Sequence, residues 1–209
     1  MTILSFLAFA ATALLLAMTP GPGMAYVVAR TVAGGRREGF ASCLGTGVGG
    51  LVHVAASALG LSLLIAQSAL AFNVVKYIGA AYLFYLGIRM LLQKVQHAEE
   101  GAVVVARGAG RAFLEGVIVE AMNVKTALFF LALLPQFTSP NGSLPLQLAA
   151  LGTFCVLMNT LVDVGAVLGA DRLLQSSALG AKRARLMTRI SGCTMMTLGA
   201  VLALTRRSG

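Results

Sequence analysis

Five residues, Thr19-Pro20-Gly21-Pro22-Gly23, interrupt an apolar run from Ile3 to Val28 that is long enough to cross a bilayer. The two prolines remove two backbone donors, and the two glycines weaken a helix further. In lipid, a carbonyl freed by such a break has no water to turn to. The break is tolerated only where it faces protein or a wet cavity. Broken helices at membrane depth mark the sites of transporters. The rest of the chain must then supply a second half to match it.

Composition agrees with a membrane setting. Hydrophobic residues make up 58% of the chain and charged residues 11%, against about 45–50% and about 25% in soluble domains. The 209 residues allow several helices and leave little for a soluble domain. The net charge of +9 raises nucleic-acid binding, but the basic residues sit in short loops between apolar runs, which is the positive-inside pattern. Cys43, Cys155 and Cys193 lie in apolar segments without metal or redox spacing. The first run lacks a basic start and a small-residue cleavage site, so it is expected to be retained.

Six apolar runs follow in order. The first covers about 3–28 and breaks near Pro20. After Arg30, Arg36 and Arg37, the second covers about 40–66, opens with glycines suited to close helix packing, and carries His53. The third covers about 74–92, with Lys76 placed to snorkel to the interface. A polar segment from Gln93 to Arg111 joins two halves. The fourth run, about 112–134, holds Glu115, Glu120, Asn123 and Lys125. A charge at the bilayer centre costs about 3 kcal/mol on insertion scales, so Glu120 and Lys125 are expected to face protein or water. Glu115, near the helix start, reads as an interfacial acid. The fifth run, about 146–168, carries Asn159 and Asp163. A basic loop then leads to a sixth run at about 190–204.

Lysines and arginines concentrate in the first, third and fifth loops. This puts those loops in the cytoplasm and both termini outside. Three spans per half oblige the halves to adopt opposite orientations. Each half has its disruption in its opening helix, at Thr19–Gly23 and at Asn123–Lys125. The expected fold is an all-α integral membrane protein of six transmembrane helices, arranged as two inverted three-helix repeats around a midplane site. The repeats cover 1–94 and 112–205, with 95–111 as a cytoplasmic linker, in a single transporter domain.

These residues resemble the LysE/RhtB family of small amino-acid exporters over most of the chain. The resemblance rests on Pro20-Gly21-Pro22, on Gly49-Gly50-Leu51-Val52-His53 with Ala58-Leu59-Gly60-Leu61, and on Lys76 with Gly79-Ala80-Ala81-Tyr82-Leu83-Phe84-Tyr85-Leu86-Gly87. It extends to Gly116, Asn123, Lys125, Phe129, Phe130 and Pro135-Gln136-Phe137, and to Asp163. Three positions depart from the family pattern. Val124 replaces a proline, Glu120 stands where an amide is common, and Gly50 stands where an acid or amide is frequent. All three lie near the expected pathway, so they bear on substrate more than on fold.

The resemblance implies a multi-pass efflux protein of the inner (cytoplasmic) membrane that exports amino acids or related small metabolites. Proton antiport is the expected coupling. A zwitterion needs a partner for each charge. Lys125 and backbone donors at a broken helix suit its carboxylate, and Glu120 or Asp163 suits its ammonium. Asp163 is the expected proton-coupling group and Glu120 the second choice. Pro20, Gly21, Pro22 and Gly23 form the hinge or binding loop, with Asn123 at the second break. His53 and Asn159 are secondary candidates; His53 serves equally well as a hydrogen-bonded histidine inside the bundle. Asp163 could instead form a salt bridge with Lys125 that only holds the bundle together. No enzyme activity, metal, cofactor or nucleic acid is expected. The partners are a small-molecule substrate, protons and the bilayer, and the glycine-rich faces permit a homodimer. An exporter of metal or other cations is the alternative, kept open by Glu120, Asn123, Asn159 and Asp163.

Overall fold

The computed structural model describes residues 2–61, 68–92 and 105–174, with scattered positions between 189 and 204. Among these residues the chain is helical and has no strands. The polar segment with His97, Glu99 and Glu100 lies outside them, as do Lys182, Arg183, Arg185 and Arg206-Arg207. Much of the sixth run lies outside too, and its described positions, such as Gly192, Cys193 and Gly199, are helical.

Helix α1 spans Ile3–Met18, with Thr2 accepting the Ser5 amide as its N-cap. It ends where the sequence places the break, and helix α2, Pro22–Ala55, begins after Gly21. Pro22 fits there because the first helical residue needs no donor. The expected loop around Arg30–Arg37 is shorter than the sequence indicates. Helical geometry continues on both sides of one residue, Gly35, at φ 71° and ψ −173°. That backbone region is essentially restricted to glycine.

Gly35 folds α2 back on itself. A straight helix would place Thr46 about 35 Å from Gly23, yet a Cβ on Gly23 would lie 3.9 Å from the Thr46 methyl. Arg30 and Glu38 form a 3.6 Å ion pair across the turn. The arm after Gly35 ends in a π-helical turn, Ala56–Leu61.

Helix α3 covers Ala69–Leu92. Lys76 is buried rather than snorkelling, with its ammonium 4.6 Å from the centre of the Tyr77 ring. Helix α4, Ala109–Ala121, starts three residues before the expected position, after Gly108 at φ 82°. Helix α5, Val124–Leu128, runs on through a π-turn, Phe129–Leu133, and a 3₁₀ turn, Leu134–Phe137. Helix α6, Leu144–Leu174, extends past the expected end at 168.

By length and composition, Pro22–Gly60, which Gly35 divides into two arms, and Leu144–Ala170 each hold an apolar stretch long enough to cross a membrane. Ala109–Ala121 with Val124–Phe137 passes the same test as one span bent by 42°. Sixteen-residue α1 reaches only about 24 Å, short of a hydrocarbon core of about 30 Å. It crosses only with help from the chain beyond the break.

The main core gathers Phe9 and Leu16 of α1, Leu83 of α3, Phe129 and Phe130, and Leu148 and Cys155 of α6. Large apolar side chains such as Leu44, Ile118, Leu157 and Leu161 point outward and are exposed. Lipid is as apolar as these side chains, so helix association rests on close packing. The second arm of α2 meets α4 through small residues. A Cβ on Gly45 would strike the Phe113 carbonyl, and one on Gly116 would come within 2.9 Å of the Ser42 carbonyl. A Cβ on Gly49 would be 2.5 Å from the Val117 carbonyl. The expected close-packing role holds for Gly45 and Gly49, with Gly116 as their partner, and it brings Thr46 and Glu120 to one cavity.

Candidate functional site

The two helix breaks meet at a cavity of about 20 Å³, room for a water molecule. Its lining includes Gly23 beside the first break, Glu120, Asn123 and Lys125 at the second, and Asn159 and Asp163 on α6. Six of the sequence-derived candidates therefore converge. Pro20, Gly21, Pro22 and His53 do not line the cavity, but each shapes it.

In an unbroken helix the amide of residue 20 would donate to the Leu16 carbonyl, and that of residue 23 to the Thr19 carbonyl. Pro20 has no amide proton. The Lys125 ammonium takes up both duties, donating to Leu16 O at 3.2 Å and to Thr19 O at 2.8 Å. Gly21 lies against this side chain. A Cβ there would be 3.1 Å from Lys125 Nζ.

The second break is made without proline. Asn123 leaves helical geometry and its side chain accepts the Lys125 amide at 3.1 Å, capping α5. The Glu120 carbonyl accepts the Asn123 amide at 3.0 Å and also bonds His53 Nε2 at 2.9 Å. His53 is buried against Phe130. Each break thus has a carbonyl held by a side chain from the other half of the chain.

The two buried acids differ. Glu120 has a donor on each oxygen, with Asn123 Nδ2 donating at 2.9 Å to one and the Thr126 hydroxyl at 2.6 Å to the other. Among the described residues Asp163 has only the Thr46 hydroxyl, at 3.2 Å on Oδ2, and that hydroxyl is also 3.0 Å from the Cys43 carbonyl. Among the described residues no donor reaches the other Asp163 oxygen, and neither acid pairs with Lys125 within 4 Å. The salt bridge between Asp163 and Lys125 is therefore not formed here. The Asn159 amide donates to the Cys155 carbonyl at 3.1 Å.

Thr46, Gly47, Thr126 and Thr160 also line the cavity and were not among the sequence candidates, whereas Gly50, expected near the pathway, lines it too. Threonines in apolar helices give little signal on their own. Thr126 could have been found as the first hydroxyl after the break. Glu115 lies away from the cavity and bonds Tyr26, Arg107 and Arg111, which agrees with an interfacial acid.

Apolar helices with two breaks facing a charged cavity define a membrane translocator. The chain belongs to the LysE type translocator family, whose pattern it matches over residues 14–206. It is 30% identical over 213 residues to a homoserine/homoserine lactone efflux protein of Salmonella typhimurium, covering all of both chains. It is 30% identical to an uncharacterized membrane protein of Vibrio cholerae, over 97% of this chain and 98% of the other. A leucine efflux protein of Klebsiella pneumoniae is 27% identical over 68% of each chain. No solved structure matches.

Proposed function

We propose that this protein is a secondary exporter of amino acids or closely related small metabolites across the inner (cytoplasmic) membrane, in exchange for protons. The carrying observation is the pair of unequal acids. Glu120 is held by two donors, whereas Asp163, which also lines the cavity, has an oxygen that no donor reaches among the described residues. A group in that state takes up either a proton or the ammonium of a substrate, and exchange needs both. Glu120, fixed at the second break by Asn123 and Thr126, is the less mobile of the two acids. The third N–H of Lys125, the Asn123 amide and the freed backbone of the first break serve the substrate carboxylate. Asn159 and the threonines are neutral partners for the side chain.

Homoserine and its lactone share an α-ammonium group, and the lactone has no carboxylate. A relative named for both supports ammonium recognition as the constant element. The cavity holds no amino acid as it stands, so export requires it to open. Residues 1–94 and 112–205 are read as inverted three-helix repeats joined by 95–111, with both termini outside. The position of one break in each half and their mutual capping support that reading. Gly45, Gly49 and Gly116 are used within the chain. A homodimer would need other positions, such as Gly165 and Gly169, where a Cβ meets nothing within 4 Å among the described residues.

The test is efflux from cells and proteoliposomes, with L-homoserine, homoserine lactone and L-leucine as first probes and a wider panel of toxic amino-acid analogues behind them. Asp163→Asn should remove proton-coupled export while the protein still folds. Normal coupled export by that variant would take Asp163 out of the mechanism.

A further inference from the structure

We propose that Lys125 is a built-in cation for the broken first helix. Its ammonium fills the place that a free monovalent cation takes at the C-terminal end of a half-helix, so export needs no such cation. The part about export rests on the function proposed above; the part about the helix does not.

Three observations carry the inference. The first is the choice of partners. A lysine beside two buried acids would be expected to pair with one of them. Lys125 Nζ instead bonds Leu16 O and Thr19 O, and among the described residues no carboxylate lies within 4 Å of it. Its counter-charge is the negative end of α1, where the last carbonyls lack their i+4 amides; Leu16 O accepts the Thr19 amide at 3.1 Å as well as the ammonium. Helix ends and unwound carbonyls of this kind coordinate the coupling cations of other transporters.

The second observation is fit. Gly21 is the N-cap of α2 and contributes no side chain. A Cβ there would be 3.1 Å from Nζ and 3.2 Å from Cε, so the chain closes onto the lysine. The third is anchorage. The Lys125 amide is fixed by Asn123 Oδ1, which aims the side chain from one break at the other. A movement at either break would therefore be felt at the other through this one residue. Two N–H groups hold carbonyls, and the third remains for the cavity that Lys125 lines.

Truncation to alanine leaves a gap lined by carbonyl oxygens at a negative helix end. Sodium or a small alkylammonium ion can enter it, and choline is too bulky. The experiment is thermal unfolding of purified full-length protein in detergent, in matched concentrations of sodium, n-propylammonium or choline chloride. Lys125→Ala should melt about 5 °C or more below the wild type in choline. It should regain much of that loss in sodium or n-propylammonium, while the wild type melts alike in all three. Lys125→Met fills the volume without the charge, and should melt low in every salt.

A Lys125→Ala protein whose salt response matches the wild type overturns the inference. So does Lys125→Met melting at the wild-type temperature, which decides the matter even if the alanine variant does not accumulate. None of these readouts needs a substrate, so a wrong assignment of export leaves them standing. Where export is measured, wild-type flux should persist with choline replacing sodium and potassium on both sides, and a requirement for either ion would refute the role.

Discussion

Glu38 and Gly108 are joined by a 2.6 Å hydrogen bond from the Gly108 amide to Glu38 Oε1, and the Arg107 amide donates to the same oxygen at 2.8 Å. The carboxylate belongs to the turn inside α2, and the amides precede the first turn of α4. Arg30 completes the cluster, with its guanidinium 3.6 Å from the other Glu38 oxygen and 3.3 Å from the Val105 carbonyl. Both side chains of the ion pair are buried. A negative group at a helix N-terminus is favoured by free amides and by the dipole. The cluster therefore ties the fold-back of α2 to the start of the second half.

Glu38→Ala should destabilise the protein by about 3 kcal/mol, because it strands the buried Arg30 charge and frees two amides. The double variant Arg30→Met/Glu38→Ala should lose less than the sum of the single changes. Denaturation of the detergent-solubilised variants measures both. Strict additivity would show that the pair does not interact.

Gly35→Ala should cost about 1–3 kcal/mol through backbone strain, since a Cβ there meets nothing within 4 Å among the described residues. Gly35→Asn should not recover the loss. Asparagine tolerates left-handed helical geometry, but not φ 71° combined with ψ −173°. Melting curves of the two variants decide this.

Gly23→Ala should impair export at least as much as it impairs folding. The new methyl would strike Glu120 Oε2, the oxygen that accepts from Asn123. Glu120 must move, and losing one hydrogen bond of about 1 kcal/mol corresponds to roughly fivefold in rate where the geometry matters to transport. Initial efflux rates normalised to folded protein in the membrane test it. Unchanged efflux would mean that the position of Glu120 is unimportant.

His53→Gln should retain export close to the wild type, because glutamine can still donate to the Glu120 carbonyl and position 53 does not line the cavity. His53→Leu should lose about 1 kcal/mol of stability with the missing hydrogen bond. Loss of coupled export in the glutamine variant, with stability intact, would make His53 a proton relay.

The first break was legible because its cause is covalent. A proline has no amide proton wherever it sits, so Pro20 and Pro22 end one helix and start the next regardless of surroundings. The second break was legible from residue type, since Asn123 before Val124 and Lys125 is a helix N-cap even without the family's proline. The close-packing glycines at 45 and 49 were likewise readable, although their partner Gly116 was not. Gly35 was harder. The glycine pair flanked by arginines resembles a loop of several residues, and only the backbone shows that one residue makes the turn.

The sequence by itself determined an apolar, helical chain, its interrupted helices and its family, all of which follow from local chemistry and residue order. The tertiary structure decided which groups meet. It turned the Lys125 ammonium to the Leu16 and Thr19 carbonyls rather than to an acid, put His53 on the Glu120 carbonyl, and left Asp163 with one shared hydroxyl from Thr46. These partners lie far apart in sequence, and the alternatives differ by the geometry of packed helices. No local preference distinguishes a lysine facing a carboxylate from one facing a helix end; packing at Gly21, Gly45 and Gly49 does.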